Sequence, residues 1–407
     1  MLIHWIWLST RPSLNDRQKR LVLEAFSDPE NAFLAGKEEY ARVEGLTPEA
    51  VNALLDKDLT QAQTVLCQCV DKNIQICTYQ DESYPYRLRH IPDPPLVLYY
   101  RGQLPDTRHV PVIAAVGTRK ASAYGRLVAQ RMGFQIARCG GLLVSGIADG
   151  NDAMAMQGAL LAGGTVVGVL GNGVDVVYPK CNRRLFEDVL QRGCLISEFP
   201  PETQPYKWNF PRRNRIMSGM SDGVVVIEAP KISGALITAR DAGNQGRDVF
   251  VVPGNIDMPT FEGSNHLLRE GAIIARDGWD VVGEYAAMYP ETVNPMGATA
   301  EPELPMENSA RVAQERISPA KIATRRKAPA EKVVDKKERQ PYSVIKEVLP
   351  KLPEEQRQIV ELLTQERLVD EIISETGLPA GKVSAALTVL EIKGIIERHP
   401  GKRISLK

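Results

Sequence analysis

Three arginines, two asparagines and an aromatic fall within Asn209-Phe210-Pro211-Arg212-Arg213-Asn214-Arg215-Ile216-Met217-Ser218. A guanidinium is a planar fork of five donors that matches phosphate oxygens, and an aromatic face accepts a stacked base. Pro211 fits a helix start, where free amides and the positive dipole end favour anions. Taken alone, such a cluster reads equally well as an arginine-rich solvated face. The order of the surrounding elements decides between the two.

Catalytic chemistry finds little support. Gly219-Met220-Ser221-Asp222-Gly223 has the letters of a nucleophile elbow. That turn runs strand, serine, helix, whereas here a helical run precedes and an apolar strand follows. The five histidines, His4, His90, His109, His266 and His399, are scattered, and only His266 falls in a helix able to face a site. Leu170-Gly171-Asn172-Gly173-Val174-Asp175-Val176 approaches a dinucleotide fingerprint, but Val176 replaces the third glycine and the run follows the third strand. Gly381-Lys382 lacks Walker A glycine spacing. The six cysteines form no Cys-x-x-Cys pair, which argues against a metal site or disulfide framework and for the reducing cytoplasm. No catalytic residue, metal or cofactor is expected.

The 407 residues suffice for two or three domains. Lys+Arg and Asp+Glu both number 50, so only local patches can speak of partners. The apolar start, Met1 to Leu8, has no basic flank or cleavage site and reads as a buried element, and no run reaches membrane-spanning length. Residues 1–70 carry helical spacing. Gly45, Thr47 and Pro48 supply a stop, an N-cap and a first-turn proline, the punctuation of a helix-hairpin-helix or SAM-like unit. Its hairpin carries Glu44 and Glu49, which favours packing over DNA contact. Residues 71–109 read as a proline-rich connector.

From 110 to 286 apolar runs alternate with helical stretches: Val112–Gly117, Leu142–Gly146, Thr165–Leu170, Leu195–Phe199, Val224–Glu228 and Val249–Pro253. Runs apolar on both faces and joined by helices mean an α/β, doubly wound, Rossmann-like parallel sheet. Residues 287–341 lose periodicity and read as a flexible linker, with eight Lys/Arg against three acidic residues between Lys321 and Arg339. Residues 342–407 give three helices and a hairpin, the pattern of a winged helix.

Ligands of doubly wound domains sit at the carboxyl ends of the strands. Those ends carry Gly117-Thr118-Arg119 with Ser122 as a helix cap, Ser145-Gly146, Tyr178-Pro179-Lys180, Lys207 with the arginine cluster, and Ser233-Gly234-Ala235. Each loop alone is ordinary turn chemistry. Together Arg119, Lys180, Lys207, Arg212, Arg213 and Arg215 gather on one rim; from Tyr178 to Arg215 eight Lys/Arg face four Asp/Glu. An anionic ligand is expected there.

Gly117-Thr118-Arg119, Ser145-Gly146-x-Ala148-x-Gly150, Tyr178-Pro179 with Asn182, Phe210-Pro211-x-Arg213-Asn214-Arg215-Ile216 and Leu236-Ile237-Thr238-Ala239 resemble, in this order, the DNA-processing protein A (DprA/Smf) family. The resemblance spans about residues 80–280, and the front and tail units resemble optional family modules. It implies a non-enzymatic protein that binds and protects single-stranded DNA and loads the RecA recombinase during natural transformation, as a homodimer. It implies that Arg119 contacts phosphate, that Lys207 contacts DNA, and that Phe210 stacks on a base. Arg213 and Arg215 match motif arginines, Arg215 being the one assigned to bracing, while Ser145 and Gly146 would offer backbone amides to a phosphate. Lys180, Arg212 and Asn214 complete the implied DNA-binding set. Two positions depart from the family pattern: Asn151 stands where an apolar residue is usual, and Ala235 where a serine is usual.

A competing reading is a nucleotide phosphoribohydrolase, whose fold is related. Val252-Pro253-Gly254-Asn255 begins like that signature and then lacks its glutamate. A third reading, a transcription regulator, is weakened by the tail. From Tyr342 to Lys407 it holds ten Lys/Arg and ten Asp/Glu, and its third helix carries only Lys382 and Lys393. Protein contact, the favoured role, and weak duplex binding both stand open for this tail.

Overall fold

The computed structural model describes residues 1–299, 352–363, 367–392, 395–399 and 403–406. The chain forms two compact units, Met1–Ala320 and Lys321–Lys407.

The first unit opens with six helices: α1 (Leu2–Thr10), α2 (Asp16–Phe26), α3 (Pro29–Leu34), α4 (Lys37–Ala41), α5 (Pro48–Leu55) and α6 (Thr60–Asp71). The apolar start forms α1, with Ile6, Trp7 and Leu8 fully buried. The Thr47 hydroxyl accepts from the Ala50 amide at the start of α5, and Pro48 occupies the first turn.

A nine-stranded sheet follows. Its strands are β1 (Gln75–Thr78), β2 (Val97–Gly102), β3 (Val112–Val116), β4 (Leu142–Ser145), β5 (Val166–Val169), β6 (Gly193–Ser197), β7 (Gly223–Val226), β8 (Asp248–Val251) and β9 (Ile273–Ile274). Their spatial order is β1-β2-β6-β5-β4-β3-β7-β8-β9. Strands β3 to β9 pair in parallel, while β2 runs antiparallel to both β1 and β6. Crossover helices are α7 (Ala123–Arg138), α8 (Asn151–Leu161), α9 (Arg183–Arg192), α10 (Asn209–Met220) and α11 (Gly234–Asn244), followed by α12 (Glu262–Arg269) and α13 (Gly278–Val282). The β3 side chains show why its sequence has no polar face. Ile113 and Ala115 enter one core, and Val112, Ala114 and Val116 enter the other.

Two expected boundaries change. The stretch 71–109 is no mere connector, because it supplies β1 and β2 to the sheet, with Leu98 and Tyr99 fully buried. Its prolines flank β2 rather than interrupt it, so their missing N–H groups break no ladder bond. The packed unit also runs past 287: the Asn294 amide donates to the Cys139 carbonyl at 2.9 Å, and Gly297 is buried against the end of α7. The linker expected from residue 300 onward lies outside the described residues.

The second unit contains α14 (Glu354–Leu362), β10 (Arg367–Leu368), α15 (Val369–Thr376), α16 (Ala380–Ile392), β11 (Ile396–His399) and β12 (Arg403–Leu406). Its strands pair in the order β10-β12-β11 around a core that includes Ile359, Leu363, Ile372, Leu387 and Ile404. This is the winged-helix arrangement; Lys393 lies outside the described residues. Among the described residues, no helix is long and apolar enough to cross a membrane.

Candidate nucleic-acid interface

The chain winds from β3 through β6 towards one edge of the sheet and from β7 through β9 towards the other. The direction therefore reverses between β3 and β7, where doubly wound folds open a crevice. A cleft of about 270 Å³ lies there, lined among others by Gly117, Thr118, Arg119, Phe210, Asn214 and Ser233.

The loop carrying Arg119 is held at both ends. Ser122 caps α7, accepting from the Gly125 amide at 2.9 Å, and its own amide donates to the buried Glu228 carboxylate at 3.0 Å. Arg119 itself is exposed, with its guanidinium carbon 4.9 Å from the centroid of the Phe210 ring. Tyr178 leans on Phe210 from another side, with centroids 5.6 Å apart. A Cβ at Gly171 would stand 2.9 Å from the Phe210 ring, so the glycine admits that ring. Lys180, in the short turn Lys180–Asn182, and Lys207, just before α10, are both exposed. Arg119, Lys180 and Lys207 form no ion pair with any described residue. Their charges face solvent.

The other arginines are engaged by the protein's own groups, though Arg213 also lines the cleft. Arg213 is 4% exposed and donates to the Gly146 carbonyl at 3.0 Å, to the Val169 carbonyl, and to Asn214 Oδ1 at 3.2 Å. Burial lowers its pKa to about 10, partly offset by Asp152, so it stays cationic at neutral pH. Burial raises the pKa of the Asp152 carboxyl, opposed by Arg213 and by the amides of Gly117 and Gly146, each 3.2 Å away. A Cβ at Gly146 would meet the guanidinium at 2.5 Å; only glycine lets the arginine lie flat on the strand end.

Arg215 is likewise buried. It is paired with Glu198 at 2.8 Å, Asp93 at 3.1 Å and Asp16 of α2 at 3.2 Å. Burial would lower its pKa, but the three carboxylates outweigh burial and raise it. Arg212 does reach the surface, where Asp16 holds it at 3.0 Å. Asn214 donates to the Gly234 carbonyl at 3.2 Å and ties α10 to α11.

The structure thus separates the expected site residues. Arg119 and Phe210 line the cleft, and Lys180 and Lys207 are exposed on neighbouring loops of the chain. Arg213, Asn214 and Arg215 form an internal brace, because all of α10 beyond Arg212 is packed. Gly146 does not offer its amide to a ligand as expected, because that amide is spent on Asp152; Ser145 is fully buried in β4, with its hydroxyl on the Ala115 carbonyl. Sequence reasoning missed Asp152 and Glu198 as the acids that keep two arginines inside. The available signal was that a buried arginine requires a carboxylate, and both lie just after strand runs. Asn151 is fully buried with both side-chain amide atoms unpartnered, beside Gly117. Ala235 lines the cleft.

Residues 75–286 match the DNA recombination-mediator protein A family, and residues 346–402 match the DprA winged helix domain. Protein Smf of Synechocystis is 32% identical over 394 residues, covering 95% of this chain and 93% of its own length. The DNA processing protein DprA of Bacillus subtilis is 40% identical over 208 residues, 51% of this chain and 70% of that protein. The X-ray structure of DprA from Streptococcus pneumoniae superposes with a TM-score of 0.62 at 33% identity, covering 70% of this chain and 98% of that one. With both family models matched in order and a relative 32% identical along nearly its whole length, this chain belongs to the DNA recombination-mediator protein A (DprA/Smf) family.

Proposed function

We propose that this protein binds single-stranded DNA with little sequence preference along the rim of Arg119, Lys180, Lys207 and Phe210, without chemistry on the strand. The observation that carries the reading is the Arg119 guanidinium lying 4.9 Å from the Phe210 ring at the mouth of the cleft. Phosphate and base recognition are thereby adjacent, and stacking of this kind contributes about 1–3 kcal/mol per base. The family's description as a recombination mediator supports a further step, delivery of the coated strand to the RecA recombinase. Ile273 and Ile274 on the edge strand β9 are exposed, which favours pairing with a second copy as a homodimer. Six unpaired thiols favour the cytoplasm.

A salt titration of binding to a labelled oligothymidylate, beside a duplex of equal length, tests the reading. It requires tight, salt-sensitive binding that prefers the single strand and is lost in Arg119→Ala. Absence of binding near physiological salt would refute it and turn attention to hydrolysis of nucleoside monophosphates. RecA delivery requires, in addition, faster RecA filament growth on strands coated with this protein.

A further inference from the structure

Two aromatic side chains just before α10 are left open to solvent. Tyr206 is 48% and Trp208 67% exposed, and their rings stack with centroids 4.8 Å apart and planes within 4°. Neither the phenol O–H nor the indole N–H has a hydrogen-bond partner among the described residues. Aromatic side chains bring a large apolar area to folding, and an indole is seldom left this open without use.

The pair is held in place by its backbone. The Tyr206 amide donates to the Gln204 carbonyl at 2.8 Å, and the Asn209 amide to the Tyr206 carbonyl at 3.0 Å. The Asn209 side chain donates to the Gly171 carbonyl at 3.0 Å and anchors the start of α10 to the loop beneath Phe210. Lys207 stands between the two rings in sequence, and Phe210 follows Trp208 by two residues in the first turn of the helix. Of the loop's two carboxylates, Glu198 is paired with Arg215 at 2.8 Å and Glu202 with Lys72 at 2.7 Å. A flat aromatic surface with an exposed lysine between its two residues in sequence and no free acid in the loop matches the chemistry of an unpaired nucleotide: a π-face next to a phosphate.

We propose that the Tyr206–Trp208 stack is a second base-stacking platform, which extends the track of a single strand from Phe210 past Lys207. Tyr206 backs the indole, and the outer face of Trp208 receives the base. The proposal rests on the single-strand reading above and adds a contact to it.

The test uses the full chain and oligothymidylates of increasing length, read by fluorescence anisotropy of the labelled strand and by tryptophan emission. Trp5 and Trp7 are buried and Trp279 is half-buried, so quenching by DNA reports mainly on Trp208. Longer strands should quench the emission, and Trp208→Phe should abolish the quenching while holding affinity within about twofold, since a ring face remains. Trp208→Ala and Tyr206→Ala should weaken binding of longer strands about fivefold or more and leave the shortest strands unaffected.

Binding without quenching, or with Trp208→Ala neutral at every length, overturns the platform and leaves the single-strand reading standing. Equal quenching by duplex also overturns it, as does a change in emission with protein concentration in the absence of DNA, which would mark a surface for self-association. Absence of any anisotropy change sinks the underlying reading instead. Should Trp208→Ala fail to fold, the quenching comparison between wild type and Trp208→Phe still decides.

Discussion

The loop after β3 and the helix α10 do opposite things with the same side chain. Arg119 sits on a capped loop, meets no carboxylate and lies over an aromatic ring. Arg213, in α10, donates to two carbonyls and is attracted by the buried Asp152. One is a charge held available for a ligand; the other is a charge already used by the fold. Residue type announces that a guanidinium is present, but the acids and carbonyls around it determine which role it has.

The strongest way to break this contrast is Arg213→Ala. It strands the buried Asp152 carboxylate and should cost about 3–5 kcal/mol in chemical denaturation. A loss confined to DNA affinity, at unchanged stability, would place Arg213 with the rim instead. Arg119→Ala and Lys207→Ala should do the reverse, each weakening oligothymidylate binding about tenfold, or about 1.4 kcal/mol, with the melting temperature almost unmoved. Each should also flatten the slope of log affinity against log salt by about 0.7, the contribution of one phosphate contact on a single strand. Stability losses in both would mean that the rim is structural.

A smaller effect, of the opposite sign, is expected at Asn151. Its amide is buried without partners, and such a group costs about 1–3 kcal/mol. Asn151→Ile, which replaces the unpartnered amide with an apolar side chain, should stabilise the protein by about 1 kcal/mol; destabilisation would reveal a partner for the amide.

The smallest effect expected is that of Asp16→Asn, a loss of about 0.5–1 kcal/mol at neutral pH. Burial pushes the Asp16 carboxyl up, yet Arg215, Lys19 and Arg212 overcome this and lower its pKa below 3.8. The contribution of the ionised form is therefore complete above that value and lost as pH falls through the lowered pKa. The stability gap between wild type and Asp16→Asn should close in acid. A gap independent of pH would mean that the ion pair contributes nothing.

Much of this fold was legible because burial on both sheet faces leaves strands with no polar residues, as in Val112–Val116. Strands β1 and β2 escaped because the proline-rich composition of 85–105 masked Val97-Leu98-Tyr99-Tyr100, which reads as a strand once its prolines are seen to flank it. In the site, the loops and the cationic character of the rim were legible. The inward turn of Arg213 and Arg215 was not, because α10 is packed on every side after Arg212, so its sequence carries no 3.6-residue alternation to reveal an outer face. Only the distant acids Asp152, Glu198, Asp93 and Asp16 mark the direction, and they converge through tertiary structure alone.

The carboxylate of Asp16 has a consequence for modular inheritance. The family-matched region begins at residue 75, yet one of the three acids that complete its buried Arg215 comes from residue 16, as does the acid nearest Arg212. The front helices are thus not a freely exchangeable cassette. A graft without an acid at this place would leave the exposed Arg212 without its nearest acid and the buried Arg215 one carboxylate short, so the charge of this surface is partly set by a layer outside the family-matched region.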